Sequence, residues 1–417
     1  GTIIEDSKNK TNCNYLIITT APNETIEQYI NVLGCLQLSD FKTYWVNGNN
    51  KKPKLGDKNI IICSKQFLQY KIDDNQEVEK IKSIKWMKDM IFEIRFLDES
   101  HMGGTTAIAQ KILDNYGKTA TTIQITATYS KPIKDYDIPK DSWILWDLED
   151  IKLCRKINEP DCLERLVEKH GETFIEIKNK YSELSIIEEY SKYPDLWILT
   201  DRIESSLVKS IIQQTKNNDY GWSVEAAFLL KQNEDQIIEE FQNPEENLKL
   251  WYRIFGKRNE LGIPDPEYPD DQVYLKRIEN ICKDPKHKSR YLGHNDGKPM
   301  IIMAFLPQNN IDLISKASKQ ILIDNQVIPN FEIVIINSKA CGSKSKQAIE
   351  DGRVKASLNG KQGVLVLSGK QCSLGVSIED CDVVLMLNNN VGFDMIYQMM
   401  FRCMTEAKNK KCGFVID

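Results

Sequence analysis

Short apolar runs separated by helix-length amphipathic segments recur along most of this chain, and that alternation restricts the fold more than any other feature. The first runs are Tyr15-Leu16-Ile17-Ile18-Thr19, Asn59 to Ser64, Ile94-Arg95-Phe96-Leu97 and Thr122-Ile123-Gln124-Ile125-Thr126. A strand apolar throughout must be covered on both faces, and parallel strands need long crossovers, so the pattern predicts a parallel sheet flanked by helices. The segment Thr25 to Leu36 repeats Ile26, Tyr29, Ile30 and Leu33 at helical spacing, which places a helix directly behind the first strand.

From about Arg155 to Arg290 the pattern changes to charged segments of helical period, among them Glu183 to Tyr190, Ile203 to Gln213 and Glu234 to Phe241. Prolines at 264, 266, 269 and 285 then punctuate a linker. Strand-like runs resume at Pro299 to Phe305, Phe331 to Ile336, Gly363 to Leu367, Val383 to Leu387 and Gly413 to Ile416. The expectation is an α/β chain in three parts: a parallel-sheet domain over 1–154, a mainly helical insertion and linker over 155–295, and a second parallel-sheet domain over 296–417.

Length supports this division, because 417 residues exceed what one hydrophobic core usually serves. With 28% charged residues, 41% hydrophobic ones and no apolar run near ~20 residues, the chain reads as soluble with no membrane span. Residues 1–20 lack the pattern of a secretory signal, and a start at Gly1 without Met reads as a cut end. Eleven cysteines with no C-x-x-C pair read as reduced, buried side chains of an intracellular protein, and four dispersed histidines complete no metal cluster with them. A net charge of −5 excludes a globally basic nucleic-acid grip. Residues 155–290 hold 21 Lys or Arg against 27 Asp or Glu, a net of −6 that leaves +1 for the remainder, so any grip belongs outside the middle.

The sharpest chemical signal is Asp98-Glu99-Ser100-His101, which closes the run Ile94 to Leu97. Ligands of open parallel sheets bind at the C-terminal edge of the strands. An Asp there suits Mg²⁺ on nucleotide phosphates, and a neighbouring carboxylate can orient or deprotonate attacking water. A second strand then ends in Thr126-Ala127-Thr128, whose hydroxyls are within chemical reach of such a pair. Asp-Glu-Ser-His followed at this spacing by Thr-Ala-Thr resembles motifs II and III of the superfamily 2 helicases, the DExH group in particular.

Other segments extend the resemblance. Thr19-Thr20-Ala21-Pro22-Asn23 looks like motif Ia and Ser64-Lys65-Gln66-Phe67 like motif Ib. Phe305-Leu306-Pro307-Gln308 stands where motif IV is expected, and Val364 to Lys370 with Ser373-Leu374-Gly375-Val376-Ser377 and Asp382 is similar to motif V. Tyr397 to Glu406 resembles the Q-x-x-G-R-x-x-R helix of motif VI, with Phe401 in place of its Gly and Thr405 in place of its second Arg. Gln398 and Arg402, four residues apart, would share one helix face. Motifs V and VI look closest in form to helicases of large cytoplasmic DNA viruses.

The resemblance covers about 1–150 and 296–417 and implies two RecA-like domains with ATP between them and RNA or DNA along both. It implies that Asp98 holds Mg²⁺, that Glu99 activates water, and that Arg402 senses the γ-phosphate, with Gly375 and Ser377 also at the nucleotide. His101, Thr126, Thr128 and Gln398 would couple hydrolysis to the track. Contacts to nucleic acid would come from Thr20, Pro22, Asn23, Ser64, Lys65, Thr126, Thr128, Pro307, Gln308, Ser368 and Lys370. Other proteins would dock on the insertion, and the setting would be cytoplasmic, in a viral factory or virion.

The largest departure is the missing G-x-x-x-x-G-K-[ST] loop. Lys10-Thr11 imitates its end, but no glycine-rich loop precedes it and no helix follows to receive phosphates. Thr2 to Lys10 therefore reads as the end of a helix whose phosphate loop lies upstream. Two rivals stay open: a non-catalytic helicase-like scaffold subunit, and a translocase subunit of a transcription or nuclease complex. Tryptophans 143, 146, 197, 222 and 251 read chiefly as core, with Trp222 the best candidate for base stacking. The basic clusters Arg253 to Arg258 and Lys283 to Arg290 read as solvated surface, with the border of a nucleic-acid channel as the alternative.

Overall fold

The computed structural model describes residues 2–19, 29–34, 38–46, 52–70, 84–98, 112–126, 138–200, 224–233, 236–291, 298–342, 344–372, 378, 380–389 and 392–417. Two units divide the chain, Gly1–Ile144 and Leu145–Asp417.

In the first unit the apolar runs form β1 (Cys13–Thr19), β3 (Lys58–Ser64), β4 (Ile94–Asp98) and β5 (Thr121–Ile125), with β2 (Lys42–Val46) added at one edge. All pair in parallel, in the order β2-β3-β1-β4-β5. Successive side chains of a strand point to opposite faces, which explains the continuous apolarity of the central strands. Leu16, Ile18, Ile61 and Cys63 pack on one face with Met87 and Tyr116, while Tyr15, Ile17, Ile60 and Ile62 pack on the other with Ile3. Helices α1 (Thr2–Ser7), α2 (Lys65–Tyr70) and α3 (Lys85–Lys88) belong to this unit. Behind β1, residues 29–33 are helical as expected; Thr25 to Gln28 lie outside the described residues. Arg95 interrupts an apolar run yet is buried, because its guanidinium donates to Thr122 Oγ1 at 2.6 Å, Tyr116 O at 3.0 Å and Leu113 O.

In the second unit β6 (Asp195–Leu199), β9 (Met300–Phe305), β10 (Phe331–Ile336), β11 (Gly363–Ser368), β12 (Cys381–Met386) and β13 (Cys412–Ile416) form a parallel sheet ordered β10-β11-β9-β12-β13-β6. β7 (Leu230–Asn233) and β8 (Gln236–Phe241) are a separate antiparallel pair. The helices are α4 (Leu148–Cys154), α5 (Pro160–His170), α6 (Glu172–Lys180), α7 (Glu183–Tyr190), α8 (Pro244–Phe255), α9 (Tyr274–Lys283), α10 (Ile311–Asp324), α11 (Ser345–Leu358) and α12 (Phe393–Met400). Two parallel-sheet α/β bodies are thus present.

The packing divides the middle of the chain differently from the expected 155–295 insertion. Helices α4 to α7 enclose a satellite core of Leu153, Cys154, Leu166, Phe174 and Ile186. Trp251, Ile254, Tyr274 and Ile278 of α8 and α9 share one core with Ile302, Leu365 and Phe414 of the sheet, and β6 is itself an edge strand of that sheet. Glu234 to Phe241, expected as helix, contains β8. Pairing with β7, the Lys231–Glu240 ion pair at 2.8 Å and burial of Phe241 against Phe228 outweigh its glutamate-rich helical preference.

Ten cysteines fall among the described residues, all free and all buried except Cys341. Burial pushes the Cys63 thiol up to about 12. No described helix is long and apolar enough to cross a membrane.

Candidate nucleotide and nucleic-acid site

Parallel strands deliver all their C-terminal ends to one edge, and the first unit places four of its chemistry-bearing residues there. Thr19 ends β1, Ser64 ends β3, Asp98 ends β4 and Thr126 follows β5. Thr19 is in register with Ser64, and Asp98 with Ile125. β1 and β4 are neighbours with Ile18 opposite Leu97, so the next residues of both strands, Thr19 and Asp98, also meet. The Thr19 hydroxyl donates to Asp98 Oδ2 at 3.2 Å. Thr19 is fully buried and Asp98 half-buried, so the carboxylate is anchored on one oxygen while still reaching the sheet edge.

Ser64 is more than a surface hydroxyl. Its Oγ accepts from Phe67 N at 2.9 Å, which occupies it as the N-terminal cap of α2, with Lys65 as the first helical residue. Lys10 sits before β1, at the opposite edge of the sheet from Asp98, and pairs with Asp6 at 2.9 Å and Glu93 at 3.1 Å. Its amine serves those carboxylates. Glu99, His101, Thr20, Pro22, Asn23 and Thr128 lie outside the described residues.

The second sheet repeats the arrangement. Pro307 and Gln308 follow β9, and Ser368 ends β11 with Lys370 exposed two residues on. The backbone here is zipped, Leu306 N to Ser368 O at 2.8 Å and Leu387 N to Phe305 O at 3.0 Å. Ser368 is 0% exposed and its hydroxyl finds no hydrogen-bond partner among the described residues. Three amides at this edge escape a reading by motif. Asn388 donates to Phe305 O at 3.0 Å, Asn337 Oδ1 accepts from Lys339 N at 3.0 Å and Ala340 N at 2.8 Å, and Gln371 donates to Gly342 O. The first two follow apolar runs directly, the same signal that marks Asp98. Gly375, Ser377 and Trp222 lie outside the described residues.

Gln398 and Arg402 do not share one α-helix. α12 stops at Met400, and Arg402 lies in a 3₁₀ turn, Phe401–Met404. Four α-helical steps separate two side chains by roughly 40°, whereas two 3₁₀ steps among the four widen this to roughly 80°. Gln398 is buried and Arg402 half-buried. Phe401, at the family's glycine position, stacks on Tyr397 with centroids 4.2 Å apart, and Cys403 packs into the core beneath.

Two expectations change role. Arg290, counted with a basic surface cluster, has a side chain only 2% exposed, and Asp382, read with motif V, is its partner: Nε and Nη2 donate to Asp382 Oδ1 at 2.9 and 2.8 Å. Nη1 donates to Asp380 Oδ1 at 2.8 Å, and Arg353 binds the other Asp380 oxygen at 2.6 Å. Nearby, burial holds the Lys410 amine below its ordinary value while it donates to Cys381 O and Thr405 O, each at 2.8 Å. Of the tryptophans, Trp251 is fully buried in the core, while Trp146 packs against His170 with ring centroids 4.9 Å apart and the planes tilted by 33°.

No family model and no curated protein matches the chain. Among solved structures it is similar to the ATP-dependent Type ISP restriction-modification enzyme LlaBIII bound to DNA, with a TM-score of 0.47 and 12% identity. That match covers 100% of this chain and 25% of the other, so the chain spans about a quarter of that enzyme's length. It is also similar to S. cerevisiae Dbp5 bound to RNA and ADP BeF3, with a TM-score of 0.44, 8% identity, and coverage of 98% of this chain and 72% of the other. At these scores and identities the likenesses identify neither a family nor an activity.

Proposed function

We propose that this chain is the motor core of a superfamily 2 helicase or translocase, which hydrolyses ATP to move along or remodel RNA or DNA. The observation that carries the reading is the gathering of Thr19, Ser64, Asp98 and Thr126 at the C-terminal edge of one parallel sheet, the edge where such sheets bind ligands. Asp98 fits Mg²⁺: it is half-buried at the end of β4 and anchored through Oδ2. Mg²⁺ is commonly held by one or two carboxylates plus phosphate oxygens and water, so a single fixed Asp suffices, although no described cluster of three or more His, Cys, Asp or Glu residues could hold an ion by itself. When bound, the ion would neutralise phosphate charge.

In this reading Asp98 holds Mg²⁺, Glu99 orients or deprotonates water, and Arg402 approaches the γ-phosphate. Gly375 and Ser377 also line the nucleotide. His101, Thr126, Thr128 and Gln398 link nucleotide state to the track. Thr20, Pro22, Asn23, Lys65, Gln308 and Lys370 contact nucleic acid, and Ser64 does so while capping α2; Ser368, 0% exposed, and Pro307, also buried, offer no such surface. The DExH subtype, a virus-like origin and a cytoplasmic setting belong to the same proposal.

Binding of single-stranded RNA and DNA, titrated against salt, tests the nucleic-acid half. Backbone contacts predict a linear fall of log affinity with log salt and weak base preference, and Lys370→Ala lowers the slope by about one. Binding that ignores salt would contradict it.

A further inference from the structure

We infer that Thr19 is a positioning residue for metal binding, acting through its hydrogen bond to Asp98; the inference rests on the nucleotide reading of that carboxylate. Thr19 belongs to a strand whose other residues are chiefly apolar core, and its hydroxyl is 0% exposed. A valine would serve the packing of such a position equally well. The hydroxyl instead donates across the β1–β4 pair to Asp98 Oδ2 at 3.2 Å. Backbone pairing on both sides of β1 fixes where the hydroxyl stands, since β1 lies between β3 and β4 in continuous register.

A carboxylate that rotates freely presents either oxygen in many directions. With Oδ2 tied to a buried donor on a central strand, the rotation of the half-buried Asp98 carboxylate is restricted. Partners that orient a metal ligand typically change metal affinity about 10- to 100-fold when removed. Thr19 is therefore expected to govern how tightly a divalent cation is held, with little effect on fold.

The test uses the full-length gene product with Thr19→Val, Thr19→Ser and Asp98→Asn, and Mn²⁺ with ADP as the probe, followed by electron paramagnetic resonance. Thr19→Val should weaken Mn²⁺ binding about tenfold, Thr19→Ser should restore it, and thermal unfolding of both should stay close to wild type. Should Thr19→Val fail to fold, Thr19→Ala removes the same hydroxyl and must show the same loss of Mn²⁺. Wild-type Mn²⁺ binding in Thr19→Val, alongside loss in Asp98→Asn, overturns the role of Thr19 alone. Wild-type binding in Asp98→Asn overturns the nucleotide reading and this inference with it.

Discussion

Arg290 and Asp382, 92 residues apart in sequence, meet in a buried ion pair in which two guanidinium nitrogens converge on one carboxylate oxygen. Asp380 and Arg353 extend the pair, so two guanidiniums face two carboxylates. The segment before β9 is thereby fastened to the start of β12, and Arg290 N also donates to Asn409 O at 3.0 Å ahead of β13.

Breaking a buried pair from one side strands the remaining charge, at a cost of about 3–5 kcal/mol. Arg290→Met is expected to lower the stability of the second unit by about that amount in urea unfolding. Combining it with Asp382→Leu should cost less than the two single changes added together. Simple additivity would show that the two residues do not depend on each other.

Gly413 in β13 allows the 3₁₀ turn bearing Arg402 to lie against the strand. A Cβ at this position would stand 2.2 Å from Cys403 O, a backbone atom that cannot swing aside. Gly413→Ala should therefore cost about 1–3 kcal/mol in thermal or urea unfolding. Unchanged stability would contradict the close approach.

Glu332 supplies a pH dependence. Burial disfavours its charge, but hydrogen bonds from Lys355 and Lys361 outweigh this, and its pKa lies below the ordinary 4.5. A carboxylate depressed on folding stabilises fully above its unfolded pKa, and the contribution is lost as pH falls through the folded value. Lys361→Met should therefore lower the urea midpoint at neutral pH, and the gap from wild type should narrow as pH falls below the ordinary 4.5 of a glutamate and through the lower folded value. A gap that persists in acid would assign the effect to packing.

Much of the fold is legible from periodicity, because runs such as Asn59 to Ser64 and Gly363 to Leu367 are apolar on both faces, and only a covered parallel sheet accepts that. The position of Asp98 is legible for a related reason: a carboxylate directly after such a run sits at the C-terminal edge of the sheet. Contacts across strands are less visible. Arg95 is compatible with a buried strand only because Thr122, Leu113 and Tyr116 satisfy it, and Arg290 reads as surface until Asp380 and Asp382 come into place. Local pattern also cannot locate the change from α to 3₁₀ at Phe401, which separates Gln398 from Arg402.

The proposal that this chain drives nucleic-acid-dependent ATP hydrolysis rests on Asp98 at the end of β4 and on Glu99 next to it in the sequence. The direct measurement is ATP turnover by the full-length gene product, with and without single-stranded RNA and DNA, beside Glu99→Gln. Turnover stimulated by nucleic acid and reduced about 10²- to 10⁴-fold in Glu99→Gln is expected. Folded protein that hydrolyses no ATP in any condition, or turns it over equally well without the Glu99 carboxylate, would contradict it.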